Sequence, residues 1–239
     1  MMDRRRVLMA SSGVVLPPVP SGYITNGLVF FLDGKQLATA SKWIDIVGGK
    51  VFNLTDCTKN GNGIAFNGST SYGSHAGEIT HNETGETIEI VFYGPDSDTG
   101  YDIKTRAIFA QPYLTDGVGI SCRFGNAGGN VCRVATALDG VNRSVKHFTY
   151  TVGASQVRTI GATTDSLVYR GTSYTNSNST AYSKNQSGNT YLGAFATTGG
   201  PIGRIMGTIY AVRIYNRKLS VAEMQANQAN DLTYYNLTL

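Results

Sequence analysis

The sequence predicts an all-β protein: a sandwich of two antiparallel sheets over residues 23–239, with a short C-terminal helix and an extended N-terminal arm over residues 1–22. Three observations predict it. Residues 208–215 alternate small or apolar side chains with polar or aromatic ones, the period of two that a half-buried strand requires. Asn-Gly or Asp-Gly pairs recur at Asn26, Asp33, Asn60, Asn62, Asn67, Asp116 and Asp139, and each can supply the positive φ angles of a tight hairpin turn. A chain of 239 residues also suits one large sandwich, a class that reaches roughly 200–250 residues in a single domain.

The arm comes first. Residues 1–6 are basic, 7–10 are apolar, Ser11-Ser12-Gly13 interrupts, and Val14-Val15-Leu16 leads into Pro17-Pro18-Val19-Pro20. A secretory signal would carry an unbroken apolar core of about 7–15 residues and a small-residue cleavage site, which this stretch lacks. Proline fixes φ and disfavours helix in the residue before it, so 16–20 reads as a stiff, polyproline-like spacer. Arg4, Arg5 and Arg6 at the tip, with Val7 and Leu8 as an apolar anchor, suit docking onto another protein.

The C-terminal helix is announced by its cap. Ser220 is a good N-cap, Glu223 completes a capping box, and Leu219 and Met224 occupy the positions of a hydrophobic staple. Counting from there, the helix is expected to last about ten residues and to run out near Asn227 to Asn230.

The stretch that joins strand to helix, with Gly207, Ile209, Val212-Arg213-Ile214-Tyr215-Asn216-Arg217, Leu219-Ser220 and Glu223, resembles the close of laminin-G-like, concanavalin A-like jelly-roll domains. Other segments match that family in order. Gly27-Leu28-Val29-Phe30-Phe31-Leu32 resembles its opening strand and Trp43-Ile44-Asp45 the next segment. Residues 63–68 with Tyr72-Gly73, then 87–92, Leu167-Val168-Tyr169-Arg170-Gly171 and Tyr191-Leu192-Gly193 resemble later strands. The resemblance covers residues 23–235 and implies a jelly-roll sandwich with Trp43 as a core anchor. The scaffold hosts lectins, adhesion modules, virion parts and glycanases, so it fixes no function.

The arginine-rich leader ahead of such a domain resembles proteins of bacteriophage particles. That resemblance implies a non-catalytic virion decoration protein, a head fibre or a tail-associated one. Its arm would dock onto other virion proteins and its lectin-like body would be displayed for host-surface or environmental glycans, as a homo-oligomer such as a trimer. The alternative is a secreted or surface-attached bacterial carbohydrate-binding domain, and less favoured still a glycoside hydrolase.

Charge and hydropathy exclude some classes. Arg4 to Arg6, less Asp3, supply half of the formal charge of +4, so the body is nearly neutral and no nucleic-acid partner is expected. No apolar run approaches the ~20 residues that span a bilayer.

Catalysis is not expected either. Glycanases of this fold carry paired carboxylates on one strand face, yet Glu86 and Glu89 lie three apart and face opposite sides of a strand. No G-x-S-x-G elbow is present. His75, Glu78 and His81 fall in a polar segment that reads as a surface loop rather than a zinc site.

The family often holds calcium. Asp96, Asp98 and Asp102 are weak candidates for it, since hard cations prefer oxygen ligands; no other cofactor is expected. Cys122 and Cys132 flank a glycine-rich stretch that suits a hairpin, leaving a disulfide between them geometrically open. For a glycan, the polar segment 171–186 offers rings, amides and hydroxyls at Tyr174, Asn176, Asn178, Tyr182 and Asn185.

Overall fold

Period-two alternation becomes two layers of strands packed face to face. The structure, a computed structural model, describes residues 15–77, 79, 87–95, 107–110, 121–126, 131–137, 142–149, 155–163, 165–175, 178–181, 189–197 and 200–239. The first strands are β1 (Leu28–Asp33), β2 (Lys42–Ile44), β3 (Val51–Thr55), β4 (Thr58–Asn60), β5 (Gly63–Asn67), β6 (Tyr72–Ala76) and β7 (Thr87–Pro95). Next come β8 (Ala107–Ala110), β9 (Ser121–Asn126), β10 (Val131–Ala137), β11 (Asn142–Thr149), β12 (Ser155–Ala162), β13 (Ser166–Tyr169) and β14 (Thr172–Thr175). The chain closes with β15 (Asn178–Ala181), β16 (Asn189–Leu192), β17 (Phe195–Thr197), β18 (Gly200–Ile202), β19 (Met206–Tyr215) and the helix α1 (Val221–Tyr235).

Among the described residues the first sheet runs β14-β13-β12-β7-β19-β5-β4, with β1 also on β19. The second runs β15-β11-β10-β9-β8-β16-β6-β3-β2. Neighbouring strands are antiparallel throughout both. The closing strand is the spine of the first sheet: β7 pairs along one edge, while β5 and β1 share the other at 206–209 and 211–215. This is the predicted β-sandwich of jelly-roll type, with one short C-terminal helix.

Each sheet sends alternate residues inward. Phe30 and Leu32 from β1, Ile88, Ile90 and Phe92 from β7, and Val212 and Ile214 from β19 meet Trp43, Phe52, Leu54, Phe109 and Leu192 from the second sheet in one core. A fully buried aromatic contributes roughly 1.5–3 kcal/mol by leaving water. Trp43 is such an anchor, with its indole Nε1 donating to the Asp33 carbonyl at 3.0 Å. At the β13–β14 turn Arg170 and Gly171 both have positive φ, 49° and 79°, the pattern of a two-residue hairpin turn.

The helix corrects the expectation of its length. Its start follows the sequence: the Ser220–Glu223 capping box is complete, and Leu219 and Met224 pack in one cluster with Val168 and Tyr215. It then continues for 15 residues, through the Asn227–Asn230 stretch where the sequence suggests an end, to a left-handed cap at Asn236. Asn227 and Gln228 in that stretch, with Asp231 just after it, are the buried inner face of the helix.

Two further readings are corrected. His75 lies on β6, not on a surface loop; its ring packs 5.5 Å from Phe52 and its Nδ1 lies 2.9 Å from the Val51 carbonyl oxygen. The β9–β10 hairpin forms, but Cys122 sits opposite Thr136 and Cys132 opposite Asn126. That places the cysteines four residue pairs apart along the ladder, about 13 Å, beyond the reach of a disulfide.

Candidate functional site

The two sheets have two outer faces, and the sequence builds them differently. On the first sheet, strand alternation turns Glu89 of β7 and Arg213 of β19 outward as a cross-strand pair. The helix α1 then lies over them. The Arg213 guanidinium donates from Nε to Glu89 Oε2 at 2.9 Å, and from its two terminal nitrogens to both Asp231 oxygens at 2.6 Å. A guanidinium fork matched to a carboxylate in this way is a strong, directional arrangement. Tyr23 donates to Asp231 at 2.9 Å, and its ring centroid lies 4.6 Å from the guanidinium carbon.

Asn227 extends the network. Its amide donates to Glu89 Oε2 at 2.8 Å and to the Tyr215 hydroxyl at 2.9 Å, and its carbonyl accepts from the Ile24 backbone N–H. At the next position Gln228 accepts from the Thr159 hydroxyl and the Gly171 N–H and donates to the Val168 carbonyl. At the end of the helix Tyr234 and Tyr235 both donate to Asp33. Burial raises the Glu89 carboxyl to about 7, outweighing the pull of Arg213. Burial alone would lower Arg213, but Asp231 and Glu89 hold it well above the ordinary guanidinium range.

Two carboxylates therefore do converge, on a pair of residues too far apart in sequence for any motif to register. Glu89 is 1% exposed and Asp231 is 0% exposed, so the arrangement is closed to a solute. It ties β7, β19, α1 and the chain around Tyr23 together.

The outer face of the second sheet has no such cover over the strands whose side chains are described. Phe52, Leu54, Trp43 and Leu192 point into the core, so their neighbours Asn53, Lys42 and Tyr191 point out. Register then aligns Lys42 with Asn53, Asn53 with Ser74, and Ser74 with Tyr191 across β2, β3, β6 and β16. At the usual strand spacing the row is about 14 Å long. It presents an ammonium, an amide and a hydroxyl, and ends at Tyr191, whose side chain is buried against Ala194 and Tyr72.

Tyr72 stands beside the row on β6, with its ring centroid 6.1 Å from that of Tyr191 in an edge-on contact. Arg204, in the turn between β18 and β19, lays its guanidinium carbon 5.5 Å from the centre of the Tyr72 ring. That turn is pinned by the Ile205 N–H donating to the Gly193 carbonyl at 2.8 Å. Lys42 and Asn53 are exposed, Ser74, Tyr72 and Arg204 half-buried. We take this row, with Tyr72 and Arg204, as the candidate site.

The residues expected from sequence are placed elsewhere. Tyr174 lies on edge strand β14 opposite Leu167, packed partly against the core. Asn178 lies on β15 at the edge of the second sheet. The polar segment is thus divided between two sheets. Asn176, Tyr182, Asn185, the calcium candidates Asp96, Asp98 and Asp102, and the anchoring residues Arg4, Arg5, Arg6, Val7 and Leu8 lie outside the described residues. Among the described residues no group of three His, Cys, Asp or Glu side chains gathers in a metal-holding arrangement, and no helix is long and apolar enough to cross a membrane. Sequence reasoning missed all six residues of this site, Lys42, Asn53, Tyr72, Ser74, Tyr191 and Arg204. Alternation shows which residues face out, but not which strands become neighbours.

No protein-family model and no curated sequence matches this chain. It is similar in structure to Trypanosoma rangeli sialidase in complex with sialic acid, at 18% identity and a TM-score of 0.63, over 94% of this chain and 36% of that one. It is also similar to the botulinum neurotoxin serotype C1 binding domain, at 9% identity and a TM-score of 0.58, over 85% of this chain and 52% of that one. A botulinum neurotoxin type C structure, from work on its interaction with two ganglioside molecules, matches at 9% identity and a TM-score of 0.57, covering 85% of this chain and 51% of that one. The chain spans about a third of the sialidases' length and about half of the toxin domains'. At these identities the likeness is one of fold.

These neighbours correct the expectation that the chain is no enzyme. Sialidases are enzymes, and the expectation rested on one acidic strand of a fold that their chains share. That strand's Glu89 is a buried partner of Arg213, so its spacing from Glu86 decides nothing about chemistry.

Proposed function

We propose that this chain is a carbohydrate-binding β-sandwich module that holds its ligand on the outer face of the second sheet. The observation that carries this reading is the in-register row Lys42–Asn53–Ser74–Tyr191, with the Tyr72 ring beside it. Sugars are bound by aromatic rings against their C–H faces and by amides and hydroxyls on their OH groups, and the row offers each of these. Neighbours of the same fold solved with sialic acid or studied with gangliosides support the ligand class.

Display on a virion, through residues 1–22 and as a homo-oligomer, belongs to the same proposal. It is supported by the arginine-tipped, proline-stiffened arm, and repeated copies would raise avidity for a weakly held sugar. A chain lacking residues 1–22 is expected to bind glycans as before but to fail to join a particle.

A glycan array read with the full chain, followed by titration calorimetry on the best hit, tests the site. Asn53→Ala and Tyr72→Ala are each expected to weaken binding about tenfold, the worth of one or two lost contacts. Affinity unchanged in both variants, or no binding to any glycan at high valency, overturns the proposal.

A further inference from the structure

We propose that Arg204 makes this surface selective for acidic sugars, by receiving a carboxylate of the ligand beside Tyr72. The inference rests on the glycan-binding reading and adds the charge of the ligand.

Arg204 differs from the other arginines whose side chains are described. Arg158 donates to the Gly94 carbonyl, Arg170 to Gln156, Arg213 to Glu89 and Asp231, and Arg217 to Asn26 and Glu223. Arg204 has no hydrogen bond and no ion pair among the described residues, and its Nε is buried with no partner. Its contact is with the Tyr72 ring. A ring holds a guanidinium flat while leaving its N–H edge free, and that edge matches the two oxygens of a carboxylate.

Lys42 ends the same row three strands from Tyr191, and the row's other members, Asn53, Ser74 and Tyr191, carry no carboxylate; the nearest in sequence to the Tyr72 pairing is the exposed Asp56, which follows Thr55. The backbone that carries Arg204 is held in place: Gly203 turns the chain with a φ of 58°, and Ile205 is buried in the core.

The test uses the full chain and pairs of oligosaccharides that share one backbone, neutral, carboxylated or sulfated. The carboxylated form is expected to bind about ten to a hundred times more tightly than the neutral parent, with a preference that shrinks as salt rises. Arg204→Gln should abolish the preference, so that the carboxylated form binds no more tightly than the neutral parent measured on the same variant. Arg204→Lys, which keeps the charge and loses the fork, should recover only part of the preference. Equal binding of neutral and carboxylated sugars overturns this inference and leaves the glycan site standing. Sulfate preferred equally overturns the assignment to a carboxylate. Binding to none of the three, where an array shows none either, removes the underlying site as well.

Discussion

The two outer faces carry similar residue types and use them in opposite ways. On the first sheet Arg213 meets Glu89 and Asp231, Tyr23 and Tyr215 are bonded through their hydroxyls, and α1 closes the whole set from water. On the second, Arg204 faces Tyr72 with no acceptor among the described residues, and Lys42 and Asn53 stand in solvent. The same chemistry that recognises a ligand, when covered, holds an element in place. What separates the two is whether a later segment of the chain supplies the partner.

The contrast is broken most forcefully at Arg213. Arg213→Ala leaves Glu89 and Asp231 buried without their cation, and is expected to cost about 3–5 kcal/mol, read by urea unfolding. A loss below about 1 kcal/mol would show that the covered face is open to water. Gln228→Ala strips the Thr159 hydroxyl, the Gly171 N–H and the Val168 carbonyl of their partner, for an expected loss of about 1–3 kcal/mol in the same assay. Unchanged stability would mean that the helix is seated by its apolar contacts alone.

Glu89 sharpens the contrast through pH. Burial lifts its carboxyl from an ordinary 4.5 to about 7, so the folded protein takes up this proton more readily than the unfolded chain. Its contribution to stability is therefore full below about 4.5 and is lost as pH rises through about 7. Melting temperature against pH should show that decline, and Glu89→Gln should flatten it; an identical slope in the variant would exclude Glu89 as the source. The smallest effect belongs to the open face. Asn53→Ala is expected to change unfolding stability by no more than about 0.5 kcal/mol, since its exposed side chain supports no packing. A larger loss would make the row structural rather than a surface kept for a ligand.

Local chemistry was legible and its assembly was not. The capping box at Ser220 could be read because the partner, Glu223, lies three residues away. Helix length could not, because Asn227, Gln228 and Asp231 look like chain-ending residues until Glu89, Thr159 and Arg213 are brought beneath them. The two expected glycan residues that are described fall on edge strands of different sheets, since a polar run says nothing about which edge each part joins.

By itself the amino-acid sequence determined the alternation of the closing strand, the positive-φ glycines at 27, 61 and 68, and the helix start. Each depends on side chains within a few positions of one another, or on alternation along one segment. Tertiary structure alone decided which carboxylates pair with Arg213, which face α1 covers, and that Lys42, Asn53, Ser74 and Tyr191 form one row. Those outcomes depend on strand order and register, which join distant segments, Glu89 with Arg213 and Ser74 with Tyr191 being more than a hundred positions apart, through interactions that exist only once the sheets have formed.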